Sequence, residues 1–168
     1  MRKPVMRKPR ASPSPPLTPP TPGEGKRGTE GYLGYLLRQA AAGYRNRLER
    51  ALAGLDVTQP QFAVLTMAAA YPGLSNADLA RLSLLTPQTV SVIVANLKRS
   101  GLLDSRPHAA HGRIQQLALT TRGQKILERC KEHVLALERK LSDGLSPQQE
   151  RAVREWLVKV AVESASTD

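Results

Sequence analysis

Residues 74 to 103, LSNADLARLSLLTPQTVSVIVANLKRSGLL, constrain this chain more than any other stretch. Ser75 stands where a side-chain oxygen caps a helix N-terminus, and Asp78, three residues on, sets a carboxylate against the positive end of that helix. Leu79, Ala80 and Leu82 are then expected to turn inward. Thr86 offers a second cap, and Pro87 sits at the first helical position, where a missing N–H costs no hydrogen bond. Two short helices separated only by residues 84–86 have the geometry of a helix-turn-helix. In the second helix Val90, Ile93, Val94 and Leu97 form the inward face, while Gln88, Thr89, Ser91, Val92 and Asn96 fall elsewhere. Short polar side chains at the start of such a helix are the right size to reach base edges in a major groove.

The flanks extend this pattern. After Gly101, residues 102–106 run extended into PHAAHG, and Gln115, Leu117 and Leu119 alternate back, which predicts two strands joined by a polar loop. That wing carries Arg106, His108, His111 and Arg113. Upstream, Leu33, Leu36, Leu37, Ala40, Tyr44, Leu48, Ala51, Leu52 and Leu55 recur at three and four residues, predicting a helix with one long apolar face. A small domain rarely needs so long a stripe, and a partner subunit is its expected cover. Thr58 and Gln61 have the spacing of a capping box for a helix carrying Phe62, Leu65, Met67 and Ala69, ended by Pro72 and Gly73. Downstream, Thr121 and Gln124 suggest another capping box, opening a helix with Ile126, Cys130, Val134, Leu137 and Leu141 on one face. Asp143 and Gly144 break it, and Ser146 with Pro147 starts a last helix whose buried side is Val153, Trp156, Leu157, Val160 and Ala161.

Residues 1–30 hold eight of the thirteen prolines and the repeat MRKPVMRKP, the composition of a disordered basic tail; Met6 is an alternative start. The remainder suits one mainly helical domain. The net charge of +11 is uneven: residues 73–125 carry seven Lys or Arg against two Asp, whereas residues 126–168 carry seven against eight acidic groups. A polyanion partner for the middle segment is the simplest account, a solvated surface the bland one. No stretch approaches the roughly 20 apolar residues of a membrane helix, and no secretory signal opens the chain, so a cytoplasmic protein is expected. The single cysteine, Cys130, precludes an internal disulfide and reads as a small buried hydrophobe rather than a redox switch. His108 and His111 lack a third metal ligand nearby, and His133 reads as a surface side chain. Paired carboxylates, a phosphate-binding glycine loop, a Ser-His-Asp set and Cys-His metal spacings are all missing, so neither an enzyme nor a cofactor is expected.

The order of helix, helix, helix-turn-helix, wing, long helix and terminal helix over about residues 31–163 resembles the multiple antibiotic resistance regulator (MarR) family. Leu97, Gly101 and Leu102 match the end of that family's reading helix, and Leu119, Thr120 and Gly123 match its Leu-Thr-x-x-Gly signature. One departure stands out: His111 occupies the position two residues before Arg113 where similar proteins carry an aspartate, in a loop that is one residue short. The wing-tip arginine role carries over to Arg113; the ion pair that steadies it does not. The resemblance implies a mainly α fold with a small β-wing, in which residues 31–57 and 126–168 supply dimerisation helices and residues 58–125 the winged helix-turn-helix. It further implies a homodimeric, ligand-responsive repressor on a pseudo-palindromic operator in duplex DNA. Gln88, Thr89 and Ser91 would read bases, and Lys98, Arg99 and Arg106 would meet phosphates; Ser75, Thr86, His108, His111 and Arg113 complete the expected DNA-binding set. Tyr35, Arg38 and Met67 are candidates for a small-molecule effector pocket, against ordinary core packing. Two other functions fit a basic winged helix: a sequence-indifferent nucleoid-type binder and an accessory subunit of an enzyme.

Overall fold

A computed structural model describes residues 18–107 and 115–165. The elements run α1 (Leu33–Leu52), α2 (Gln59–Ala70), α3 (Asn76–Ser83), α4 (Pro87–Arg99), β1 (Leu103–Pro107), β2 (Gln115–Leu119), α5 (Thr121–Ser142) and α6 (Pro147–Ala165). The fold is therefore mainly helical with one two-stranded antiparallel sheet. Two units divide inside α1, Met1–Ala41 and Ala42–Asp168.

In the first unit, Gly25–Arg27 form a single 3-10 turn. Gln39 on α1 holds it from both sides: Arg27 Nε donates to Gln39 Oε1 at 3.0 Å, and Gln39 Nε2 donates to the Arg27 carbonyl at 3.0 Å. Residues 18–30 are thus tied to α1, unlike the disordered tail their composition predicts; one glutamine twelve residues away leaves no periodic signal in sequence. Residues 1–17 lie outside the described ones. Tyr32 and Leu33, at the head of the long apolar stripe, are exposed.

The second unit contains the core. Leu48 and Leu52 enter it from the end of α1, and Leu55 and Val57 from the turn that follows. Thr58 opens α2 through a complete capping box: its N–H donates to Gln61 Oε1 at 2.9 Å, while the Gln61 N–H donates to Thr58 Oγ1. Val64, Leu65 and Ala68 are the buried residues of α2; Phe62 and Met67 pack against the core only in part. Leu79 and Ala80 anchor α3, but Leu82, expected inward, is 41% exposed. The physical reason is that α3 is only eight residues long and packs against α2 and α4, so its buried face is too narrow to include Leu82.

The first residue of α5 also differs from expectation. The cap is Thr120, not Thr121: its Oγ1 accepts from the Gly123 N–H at 3.0 Å and donates to the Gly101 carbonyl at 2.7 Å, while its N–H donates to the Leu102 carbonyl. Leu127, Cys130 and Leu137 form the buried side of α5, and burial pushes the Cys130 thiol above its ordinary pKa. Tyr44 on α1 and Glu138 on α5 are hydrogen-bonded. Ser146 and Gln149 cap α6 reciprocally, yet the expected buried side of that helix lies open: Val153, Trp156 and Leu157 are all exposed, because no element among the described residues covers them. Among the described residues no helix is long and apolar enough to cross a membrane.

Candidate nucleic-acid interface

Two caps and a left-handed residue build the pair of helices from α3 to α4. Ser75 accepts from the Asp78 N–H at 3.2 Å, and Asp78 accepts both the Ser75 N–H and the Ser75 hydroxyl, the latter at 2.6 Å. Those bonds from Ser75, and then that from Arg81, hold the Asp78 carboxyl below the usual carboxylate range. Leu84 ends α3 with φ 54°, and the Leu85 N–H closes back on the Ala80 carbonyl at 3.0 Å. Thr86 then caps α4 by accepting the Thr89 N–H at 3.2 Å, with Pro87 at the first helical position as anticipated.

Four buried residues, Val90, Ile93, Val94 and Leu97, seat α4 on the core and thereby set which face remains outside. Gln88, Thr89 and Ser91 are exposed on it, together with Val92, Ala95 and Asn96. The three expected base readers are not equally free. Thr89 Oγ1 lies 2.8 Å from Thr86 Oγ1, and the Ser91 hydroxyl donates to the Pro87 carbonyl at 2.9 Å, whereas the Gln88 amide makes no hydrogen bond among the described residues. At the far end of α4, Lys98 Nζ donates to Ser105 Oγ on β1 at 2.7 Å, and Arg99 Nη1 donates to Asn96 Oδ1 at 3.0 Å. Asn96 and Ser105 were not singled out by residue type; the spacing of Asn96, eight positions from Gln88 along one helical face, is the signal that could have found the first.

The wing begins where α4 ends. Leu103 pairs with Leu119 and Pro107 with Gln115 in antiparallel register, so the backbone of Arg106 lies opposite Gln116 near the outer end of the ribbon. Gly73, with φ 91°, lets the turn after α2 approach the wing: a Cβ there would meet Gln116 Nε2 at 2.8 Å. His108, His111 and Arg113 lie outside the described residues. Ser75 and Thr86 serve as helix caps.

The effector candidates divide between the two units. Tyr35 and Arg38 are exposed on the first part of α1, and Met67 is half-buried against the core of the second unit. A separate groove of about 400 Å³ between α1 and α5 is bordered by Arg47, Arg50, His133 and Lys140 over a floor of Ala51, Ala136 and Leu137. No group of three or more metal-ligating side chains occurs among the described residues.

Known proteins share this architecture. The model of the MarR family matches residues 55–114, which run from the turn after α1 into the wing. The HTH-type transcriptional repressor Rv2887 of Mycobacterium tuberculosis is 33% identical over 128 residues, covering 76% of this chain and 92% of the relative. The structure of the transcriptional repressor CouR bound to a 23-mer DNA duplex superimposes with a TM-score of 0.70 at 25% identity, covering 77% of this chain and 92% of CouR. Rv2887 in complex with p-aminosalicylic acid gives a TM-score of 0.64 at 30% identity, covering 78% of this chain and 99% of that one. With a relative 33% identical matched over 92% of its length, and a family model that matches residues 55–114, the chain belongs to the MarR family of transcriptional regulators.

Proposed function

We propose that this protein is a ligand-responsive transcriptional repressor that binds a pseudo-palindromic site in duplex DNA as a homodimer. The observation that carries this reading is the outward face of α4: it is uncharged from Pro87 to Leu97, held rigid by the Thr86 cap and a buried opposite face, and set in a segment of strong positive charge. Such a face suits base edges, and its basic surroundings suit phosphates. Gln88, Thr89 and Ser91 would read bases, with Gln88 the main hydrogen-bonding residue because its amide makes no hydrogen bond among the described residues. Lys98, Arg99 and Arg106 would contact phosphates, and Arg113, with His108 and His111, would follow the wing into the flanking minor groove. Ser75 and Thr86, whose hydroxyls serve as caps, would bring helix N-termini rather than side chains toward the backbone.

The exposed apolar residues of α6 and of the start of α1 support assembly through residues 31–57 and 126–168, leaving residues 58–125 to meet DNA. Tyr35, Arg38 and Met67 are the proposed effector contacts, and the p-aminosalicylic acid complex of Rv2887 favours an aromatic carboxylate as the ligand class. An effector that binds better to one spacing of the two heads would shift the dimer toward it and release DNA.

The test is selection of bound fragments from genomic DNA, followed by titration against selected and random duplexes. Specific regulation requires preference of about 1,000-fold or more. Equal affinity for both would instead favour a nucleoid-type binder, and weak binding to all DNA an accessory role.

A further inference from the structure

One side chain on the outward face of α4 does not match the polar chemistry around it. Val92 is 58% exposed, while the other β-branched aliphatic residues of the same helix, Val90, Ile93 and Val94, are buried. Isolated exposed apolar residues are ordinary on protein surfaces and need no explanation by themselves. Val92 differs in its position. It stands four residues after Gln88 and four before Asn96, on the face that the buried residues of α4 turn outward. Its neighbours reinforce its character: Ala95 is aliphatic, and the Ser91 hydroxyl directs its proton back to the Pro87 carbonyl. The centre of the face is therefore an apolar spot flanked by two amides.

The edges of the base pairs in the major groove present hydrogen-bond donors, acceptors and one apolar group, the C5-methyl of thymine. We propose that Val92 reads a thymine methyl group in each half-site, so that specificity at the centre of α4 rests on an apolar contact. This rests on the reading of α4 as the major-groove helix. A valine in a helix is nearly restricted to one χ1 rotamer, so its methyl groups are placed in advance and lose little side-chain freedom on contact. Burying one methyl group against an aliphatic partner corresponds to a factor of roughly four in affinity. The dimer would meet two such thymines.

The experiment uses the full chain and a duplex selected from genomic or random DNA, in which each thymine is replaced singly by deoxyuridine, removing only the methyl group. The expected result is one thymine per half-site whose replacement weakens the unmodified protein roughly fourfold. Val92→Ala should bind the thymine duplex more weakly and no longer distinguish thymine from uracil at that position. Gln88→Ala should lose specific affinity but keep the thymine–uracil difference. Circular dichroism should show both variants folded, since neither side chain belongs to the core. If no single replacement weakens the unmodified protein, or if the difference persists undiminished in Val92→Ala, the proposal is wrong while Gln88→Ala still reports α4 as the reading helix. If Gln88→Ala and Val92→Ala both leave specific binding unchanged, the placement of α4 in the groove fails and the proposal with it.

Discussion

Gly123 and Leu102 approach so closely that a Cβ added at Gly123 would lie 2.0 Å from the Leu102 carbonyl oxygen. That oxygen already accepts the Thr120 N–H at 3.1 Å, so it cannot retreat without loosening the root of the wing. The first turn of α5 thus rests directly on the backbone at the start of β1, and any side chain at position 123 forces the two apart.

Gly123→Ala should therefore destabilise the fold by about 3 kcal/mol, the upper range for overpacking a close contact. Thr120→Ala, which removes a cap and the bond to the Gly101 carbonyl, should cost about 1–2 kcal/mol. Urea denaturation monitored by circular dichroism measures both. Gly123→Ala at full stability would mean that the helix and wing root do not meet this way.

Tyr44 supplies a pH-dependent test. Burial, and then its 2.6 Å hydrogen bond to Glu138 with that group's charge, pushes the phenol up to about 12 from its ordinary value near 10. Because the folded value is raised, the contribution is fully present below pH 10 and is lost as pH climbs from about 10 to 12. Tyrosinate absorbance should show a component titrating near pH 12 that disappears in Tyr44→Phe. A single tyrosine transition near pH 10 that Tyr44→Phe merely reduces in amplitude would contradict the contact.

Assembly is best tested on α6. Trp156 is 38% exposed and Leu157 is its exposed neighbour, so Trp156→Glu or Leu157→Glu should convert a dimer into a folded monomer. Leu48→Glu, by contrast, should unfold the protein, because Leu48 is only 6% exposed within one chain. Analytical ultracentrifugation with circular dichroism separates the two outcomes, and a monomeric unmodified protein would refute dimerisation through this helix.

The bond from Lys98 to Ser105 separates charge from positioning. Lys98→Ala should weaken binding to selected and random duplexes alike and lower the salt slope by about one, as expected for one phosphate contact. Ser105→Ala should leave the slope unchanged, since the charge remains. Fluorescence anisotropy across a salt series provides the measurement, and an unchanged slope in Lys98→Ala would remove this residue from the phosphate contacts.

How much was legible in the sequence follows from the range of each interaction. The box at Thr58–Gln61 and the caps at Ser75 and Thr86 join residues three apart, so the order of residues suffices to announce them. The inward face of α4 was equally readable, because helical period alone separates Val90, Ile93, Val94 and Leu97 from Gln88, Ser91 and Val92. At the start of α5 the same rule misleads, because Gln124 gives Thr121 the box spacing while the cap is Thr120; that choice depends on carbonyls at Gly101 and Leu102, nearly twenty residues earlier, brought close by the wing. The exposure of Leu82 and of Trp156 likewise depends on which neighbours reach α3 and α6, and no periodic pattern encodes that. Local hydrogen bonds and periodicity are properties of the chain order, whereas clearance, coverage and the direction of each hydroxyl are set by atoms that folding alone brings within reach.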